Sequence, residues 1–130
     1  MQITVQQLVN SWESLQKLNG IGLDSGITPV NAFFLSQLIG ACQPEVERFN
    51  TIHRELFLSL GEEREVTYGD ETRKEHQIKE ENIDRFLQDI TPLLNKTIDL
   101  PGNPIPVSDL GKGLPLTIGD LGKLSWLFTE

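Results

Sequence analysis

Apolar side chains recur at helical intervals in three stretches of the chain, each bracketed by its own start and stop signals. Val5, Leu8, Val9, Trp12, Leu15 and Leu18 fall three or four residues apart, the spacing that lines one face of a helix. Ahead of them, Thr4 and Gln7 form a capping box: the threonine oxygen takes the Gln7 amide and the glutamine reaches back. Ile3 and Leu8 sit at the spacing of a hydrophobic staple, and Asn19-Gly20 supplies a left-handed stop. Glycines at 20, 22 and 26 around Asp24-Ser25 predict a turn or short loop.

Thr28-Pro29 starts the second stretch, with threonine as cap and proline at the first helical position, where its missing amide costs nothing. Val30, Phe34, Leu38, Cys42, Val46, Phe49, His53, Leu56 and Leu60 then step by three or four, and Phe33, Leu35, Ile39, Ile52 and Phe57 widen the stripe. Pro44 removes a backbone hydrogen bond from the middle of this pattern. Gln43 is a poor cap for a second helix, so a kink is expected rather than a break. Gly61 ends the run.

Residues 62–82 are dense in charge and poor in apolar side chains. Val66-Thr67-Tyr68, Gly69-Asp70 and His76-Gln77-Ile78 predict either a small irregular hairpin, with a turn longer than the two-residue optimum, or a mobile loop. Ile83, Phe86, Leu87, Ile90, Leu93 and Leu94 restore helical spacing, with Pro92 interrupting near the end. Thr97 to Leu100 and Ile105 to Val107 alternate, and the prolines at 101, 104 and 106 confine such strands to an edge or bulge. A second box, Thr117 to Asp120 with Leu116 and Leu121 as staple, opens a short final helix that Gly119 and Gly122 weaken. The expected fold is mainly α: three to four helices around one core, with a small β hairpin or edge-strand appendage.

At 130 residues the chain is one domain's worth, so 1–130 reads as a single domain. Its composition, 38% hydrophobic and 23% charged with mean hydropathy −0.23, is that of a folding globular protein. No apolar run approaches the roughly 20 residues that span a bilayer, and the first residues lack a basic flank before an apolar core. Neither membrane insertion nor export is expected. Cys42 is alone, so no internal disulfide forms. A formal charge of −8 opposes phosphate backbones, so no direct nucleic-acid partner is expected.

Catalytic fingerprints are missing, with no phosphate loop, nucleophile elbow or His-Glu-x-x-His. His53 lies on the apolar stripe, where a histidine bonded to a neighbour is the ordinary outcome. Cys42, eleven residues earlier, is about 16 Å away along a straight helix, too far to act with it. His76 has no second histidine nearby, so no metal site is expected, nor any cofactor or catalytic residue. Glu62 to Asp89 carries ten carboxylates against five cations, interleaved like a solvated surface rather than a DNA mimic. Trp126, Leu127 and Phe128 are the candidate interaction residues. In a helix from Thr117 they cannot all face inward with Leu121 and Leu124, so one aromatic is expected to be left for another surface.

The order of these segments resembles a family of small uncharacterised tailed-bacteriophage proteins, often encoded among tail and lysis genes. Gln43-Pro44-Glu45-Val46-Glu47-Arg48-Phe49 before Gly61-Glu62-Glu63 is similar to its "Pro-Glu, long helix, Gly-Glu" segment. Glu81-Asn82-Ile83 and Leu94 to Leu100 resemble its "Glu-Asn-Leu, helix, Leu-Asn-Thr-Glu-Val" segment. Ile105-Pro106-Val107-Ser108-Asp109-Leu110 and Leu116 to Leu121 resemble its closing steps, except that Ile118 and Gly119 replace the family's proline and alanine. The resemblance implies a non-enzymatic viral protein acting by protein–protein contacts, a virion structural or tail or capsid assembly component, present in the host cytoplasm during assembly and in the virion. Its partner would be itself or another phage protein. The alternative is a phage-encoded inhibitor of a host defence system or host enzyme, for which small size and an acidic surface are equally suited.

Overall fold

The computed structural model describes residues 1–110 and 113–129. A short strand, β1 (Gln2–Thr4), leads into α1 (Val5–Gln16). The capping box is present: Thr4 Oγ1 accepts from the Gln7 amide at 3.1 Å, and Gln7 Oε1 accepts from the Thr4 amide at 2.9 Å. Ile3 and Leu8 are buried in one cluster, as a staple requires. After a loop holding one 3₁₀ turn, Thr28 caps α2 (Pro29–Leu60), a helix of 32 residues that Pro44 does not divide.

The stripe on α2 is shorter than its spacing suggests. Val30 is 77% exposed and Phe33 66%, whereas Leu35, Leu38, Ile39, Cys42, Val46 and Phe49 are buried. Each step of four overshoots a 3.6-residue turn by roughly 40°, so four consecutive steps carry the line from Val30 to Val46 about 160° around the helix. The first turn of α2 therefore faces away from the seam that its middle occupies.

Gly61 ends α2 and at once begins β2 (Gly61–Tyr68), which pairs antiparallel with β3 (Glu71–Ile78) over eight cross-strand pairs. The irregular hairpin with a long turn, and its loop alternative, are both overturned. The connection is the two residues Gly69-Asp70, and Gly69 takes φ +62° with Asp70 at negative φ. That combination is a type II′ turn, whose twist matches paired strands. The hairpin itself is one of the two expectations, but its regularity and tight turn are illegible because charged residues occupy both of its faces and leave no apolar alternation, the usual strand signal.

A 3₁₀ turn precedes α3 (Ile83–Leu94), which continues past Pro92. The next strand, β4 (Thr97–Asp99), pairs with β1, not with the neighbouring β5 (Ile105–Pro106); β5 pairs parallel with β6 (Phe128–Thr129). Between them lies α4 (Ile118–Lys123), opened by the predicted box of Thr117 and Asp120. These pairings join segments more than 20 residues apart, and no local periodicity encodes such partners.

The fold is mainly α with small β elements, but the expectation of one core with one β appendage is corrected on both counts. Apolar residues form two clusters, and three separate two-stranded sheets flank them. The larger cluster joins α1 (Leu8, Leu15), the first half of α2 (Leu38, Cys42) and the C-terminal segment (Leu124, Leu127). The smaller is built on Val5, Phe49 and Ile90, with Phe86 and Leu93 packed against it. Half-buried Ile98 of β4 touches both. One long helix thus serves two clusters in turn, α1 and the C-terminus against its first half and α3 against its second. Among the described residues, no helix is long and apolar enough to cross a membrane.

Candidate functional site

The C-terminal residues singled out in the sequence are occupied inside the chain. Leu127 and Phe128 are buried in the larger cluster, and Trp126 is half-buried against it. The Trp126 indole Nε1 donates to Ser11 Oγ at 3.1 Å, and the Ser11 hydroxyl donates to the Gln7 carbonyl at 2.6 Å. The helical geometry that predicted a spare aromatic does not apply, because α4 ends at Lys123. A turn follows it, and Phe128 is already in β6, where the Ile105 amide donates to the Leu127 carbonyl at 2.8 Å. Leaving the helix lets both Leu127 and Phe128 point inward.

Beside Trp126, Ser11 and Ser14 of α1 and Lys17 at its C-cap form a polar line at three-residue spacing, of which Ser14 and Lys17 reach α4. Ser14 Oγ donates to Asp120 Oδ1 at 2.6 Å, and Lys17 Nζ donates to Oδ2 at 2.7 Å. The Thr117 amide also donates to Oδ2, at 2.9 Å. The Lys17 ammonium, then Ser14 and the Thr117 amide, hold the Asp120 carboxyl well below the usual carboxylate range, against the opposing effect of burial. Such a carboxylate is a weak base, and its oxygens already accept hydrogen bonds from the Ser14 hydroxyl, the Lys17 ammonium and the Thr117 amide. The cluster is chemically a pin between α1 and α4. Sequence reasoning found the Thr117–Asp120 box but missed the pin, although the serine-serine-lysine spacing on α1 was its readable signal.

His53 is half-buried on α2, ringed by Phe49, Phe57 and Phe86 at centroid distances of 5.7, 6.4 and 5.6 Å. His76 lies beyond Phe57, with its Nε2 2.9 Å from the Phe57 carbonyl, one of the unpaired carbonyls at the end of α2. The Lys79 amide and Asn82 Nδ2 both donate to the Leu60 carbonyl, each at 3.1 Å. A side chain at Gly61 would overlap the His76 ring and the carbonyls of Phe57 and Gln77. His53 thus packs between α2 and α3, while His76 is part of the joint between α2 and the hairpin. Burial, with the nearby Glu45 carboxylate, pushes the Cys42 thiol up to about 12, which leaves it un-ionised and unreactive. Among the described residues, no three His, Cys, Asp or Glu side chains converge as a metal site would require.

The hairpin is one surface open to a partner, beside exposed apolar side chains on other elements such as Leu58, Leu87 and Ile118. Every residue from Thr67 to Lys74 is exposed. On one face its charges are satisfied internally: Arg64 pairs with Glu62 at 2.8 Å and Arg73 with Glu71 at 3.0 Å, the Tyr68 hydroxyl donates to Glu75 at 2.7 Å, and the Arg73 guanidinium lies 5.9 Å from the Tyr68 ring centroid. On the other face Glu63, Glu65 and Lys74 have no ion pair among the described residues. At the opposite end of α2, Val30 and Phe33, one turn apart, add a small apolar exposure. Comparison with protein-family models, curated proteins and solved structures finds no match to the chain.

Proposed function

We propose that this chain is a non-enzymatic phage protein that works through protein–protein contacts, as a virion structural or assembly component. The order of segments that resembles the small tailed-bacteriophage proteins supports the viral assignment. The contact reading is carried by one observation, the eight-pair hairpin set at the end of α2, neither edge of which pairs with a further strand among the described residues. Isolated two-stranded hairpins are marginal in water, and bare edges invite unwanted pairing. A chain that keeps such an arm, and anchors it with His76, Lys79 and Asn82, holds a backbone edge ready for another strand. Trp126, Leu127 and Phe128 are not part of this surface, because they fasten the C-terminus. Mass spectrometry of purified virions tests the assignment: recovery at a fixed copy number supports it. Absence from virions, with the chain instead recovered on a host enzyme, overturns it in favour of an inhibitor.

A further inference from the structure

We infer that the β3 edge at the tip of the hairpin is a self-association site, which takes the same edge of a second copy of this chain in antiparallel, two-fold pairing centred on Thr72. The inference rests on the contact reading above and names its partner.

Backbone direction comes first. The Lys79 amide donates to the Leu60 carbonyl, one pair beyond Gly61 and Ile78 at the root of the ladder. Because hydrogen-bonded and non-hydrogen-bonded pairs alternate, residues 62, 64, 66 and 68 and their partners 77, 75, 73 and 71 face inward. The amides and carbonyls of Thr72 and Lys74 therefore point outward from β3, and both residues are exposed.

Charge then selects the register. Asp70-Glu71-Thr72-Arg73-Lys74 reads negative, negative, neutral, positive, positive. Laid antiparallel on itself about Thr72, it places Glu71 opposite Arg73 of the partner subunit, twice by symmetry, and brings Lys74 of the partner subunit to the turn that carries Asp70. Opposite charges across a ladder stabilise it and like charges destabilise it. Moving the two-fold to Glu71, Arg73, Lys74 or Glu75 sets that charged residue against its own copy. On β2, a two-fold at Thr67 gives no opposite-charge pair within the strand, against one per half on β3. Head-to-tail addition of β2 to β3 would instead set neighbouring bodies about 10 Å apart, less than the width of a domain whose radius of gyration is about 14 Å. The two-fold arrangement puts the bodies at opposite ends. It is isologous, as most homodimers are.

Sedimentation equilibrium of the full chain over a range of concentrations, at low and high salt, tests the site. At low salt the average mass should rise from 14.6 kDa toward twice that value, and salt should weaken the association. Thr72→Pro removes an outward amide and no hairpin bond, so it should weaken dimerisation at least about tenfold with the hairpin's circular dichroism intact. Glu71→Arg alone opposes arginines twice and should do the same, and adding Arg73→Glu in the same chain should restore wild-type affinity. A chain that stays monomeric at low salt, or a dimer indifferent to both Thr72→Pro and Glu71→Arg, overturns the inference. Either result leaves the virion assignment to its own test.

Discussion

Lys17 and Asp120, 103 positions apart in sequence, meet at 2.7 Å and fasten the first helix to the last. The carboxylate is buried and the ammonium is 43% exposed, so the pair sits at the rim of the larger cluster rather than in bulk water. Because the folded Asp120 ionises at lower pH than its unfolded counterpart, its stabilisation is complete above the unfolded value of about 4 and is lost as pH falls through the folded one. Asp120→Asn should lower Tm by several degrees at neutral pH, and the gap to wild type should hold down to about pH 5 and close in stronger acid. A gap independent of pH would show that packing, not ionisation, accounts for the loss.

The second cluster depends on one aromatic ring. Phe49 is buried against Val5 and Ile90, so Phe49→Ala should cost about 3–5 kcal/mol in urea unfolding. Phe33→Ala, at an exposed position, should change stability by less than about 0.5 kcal/mol. Equal costs at the two positions would contradict the drift of the stripe around α2.

The C-terminal aromatics should behave as core. Trp126→Phe loses the indole hydrogen bond to Ser11 and should cost about 1 kcal/mol, and Leu127→Ala about 2–5 kcal/mol. Truncation after Ser125 should then collapse the cooperative thermal transition. A truncated chain that melts like wild type would return these side chains to the surface.

Cys42 offers a chemical check on the larger cluster. Its thiol is buried and pushed up to about 12, so an aromatic disulfide reagent at pH 8 should leave it untouched in the folded chain and modify it fully in urea. Rapid modification without denaturant would mean that α2 opens at its centre.

Local signals in the sequence were reliable where short-range chemistry decides the outcome. Both capping boxes, the Thr28-Pro29 start and the Gly61 stop involve atoms within a few residues of one another, and each is where it was expected. The arrangement of β1 beside β4 and β5 beside β6 was out of reach, because pairing across the chain leaves no period in either partner. The hairpin was legible only as an irregular alternative to a loop, for the opposite reason. Its turn and strands are local, but strands solvated on both faces carry no apolar alternation. The Ser14, Lys17 and Asp120 pin lay half in view, with its α4 end visible as a cap and its α1 end disguised as a polar helix face.

Residue-resolved amide hydrogen exchange by NMR, at a dilution where the chain is monomeric, tests most directly whether the arm exists with its edges bare. The amides of Arg64, Val66, Glu71, Arg73 and Glu75 face inward and should be protected, while those of Glu63, Glu65, Thr67, Thr72 and Lys74 should exchange quickly, giving an alternation along both strands. Uniformly fast exchange from 62 to 77 would mean that the hairpin is not formed. Uniform protection would mean that its edges are already covered within one chain, and either outcome removes the surface on which the proposed association depends.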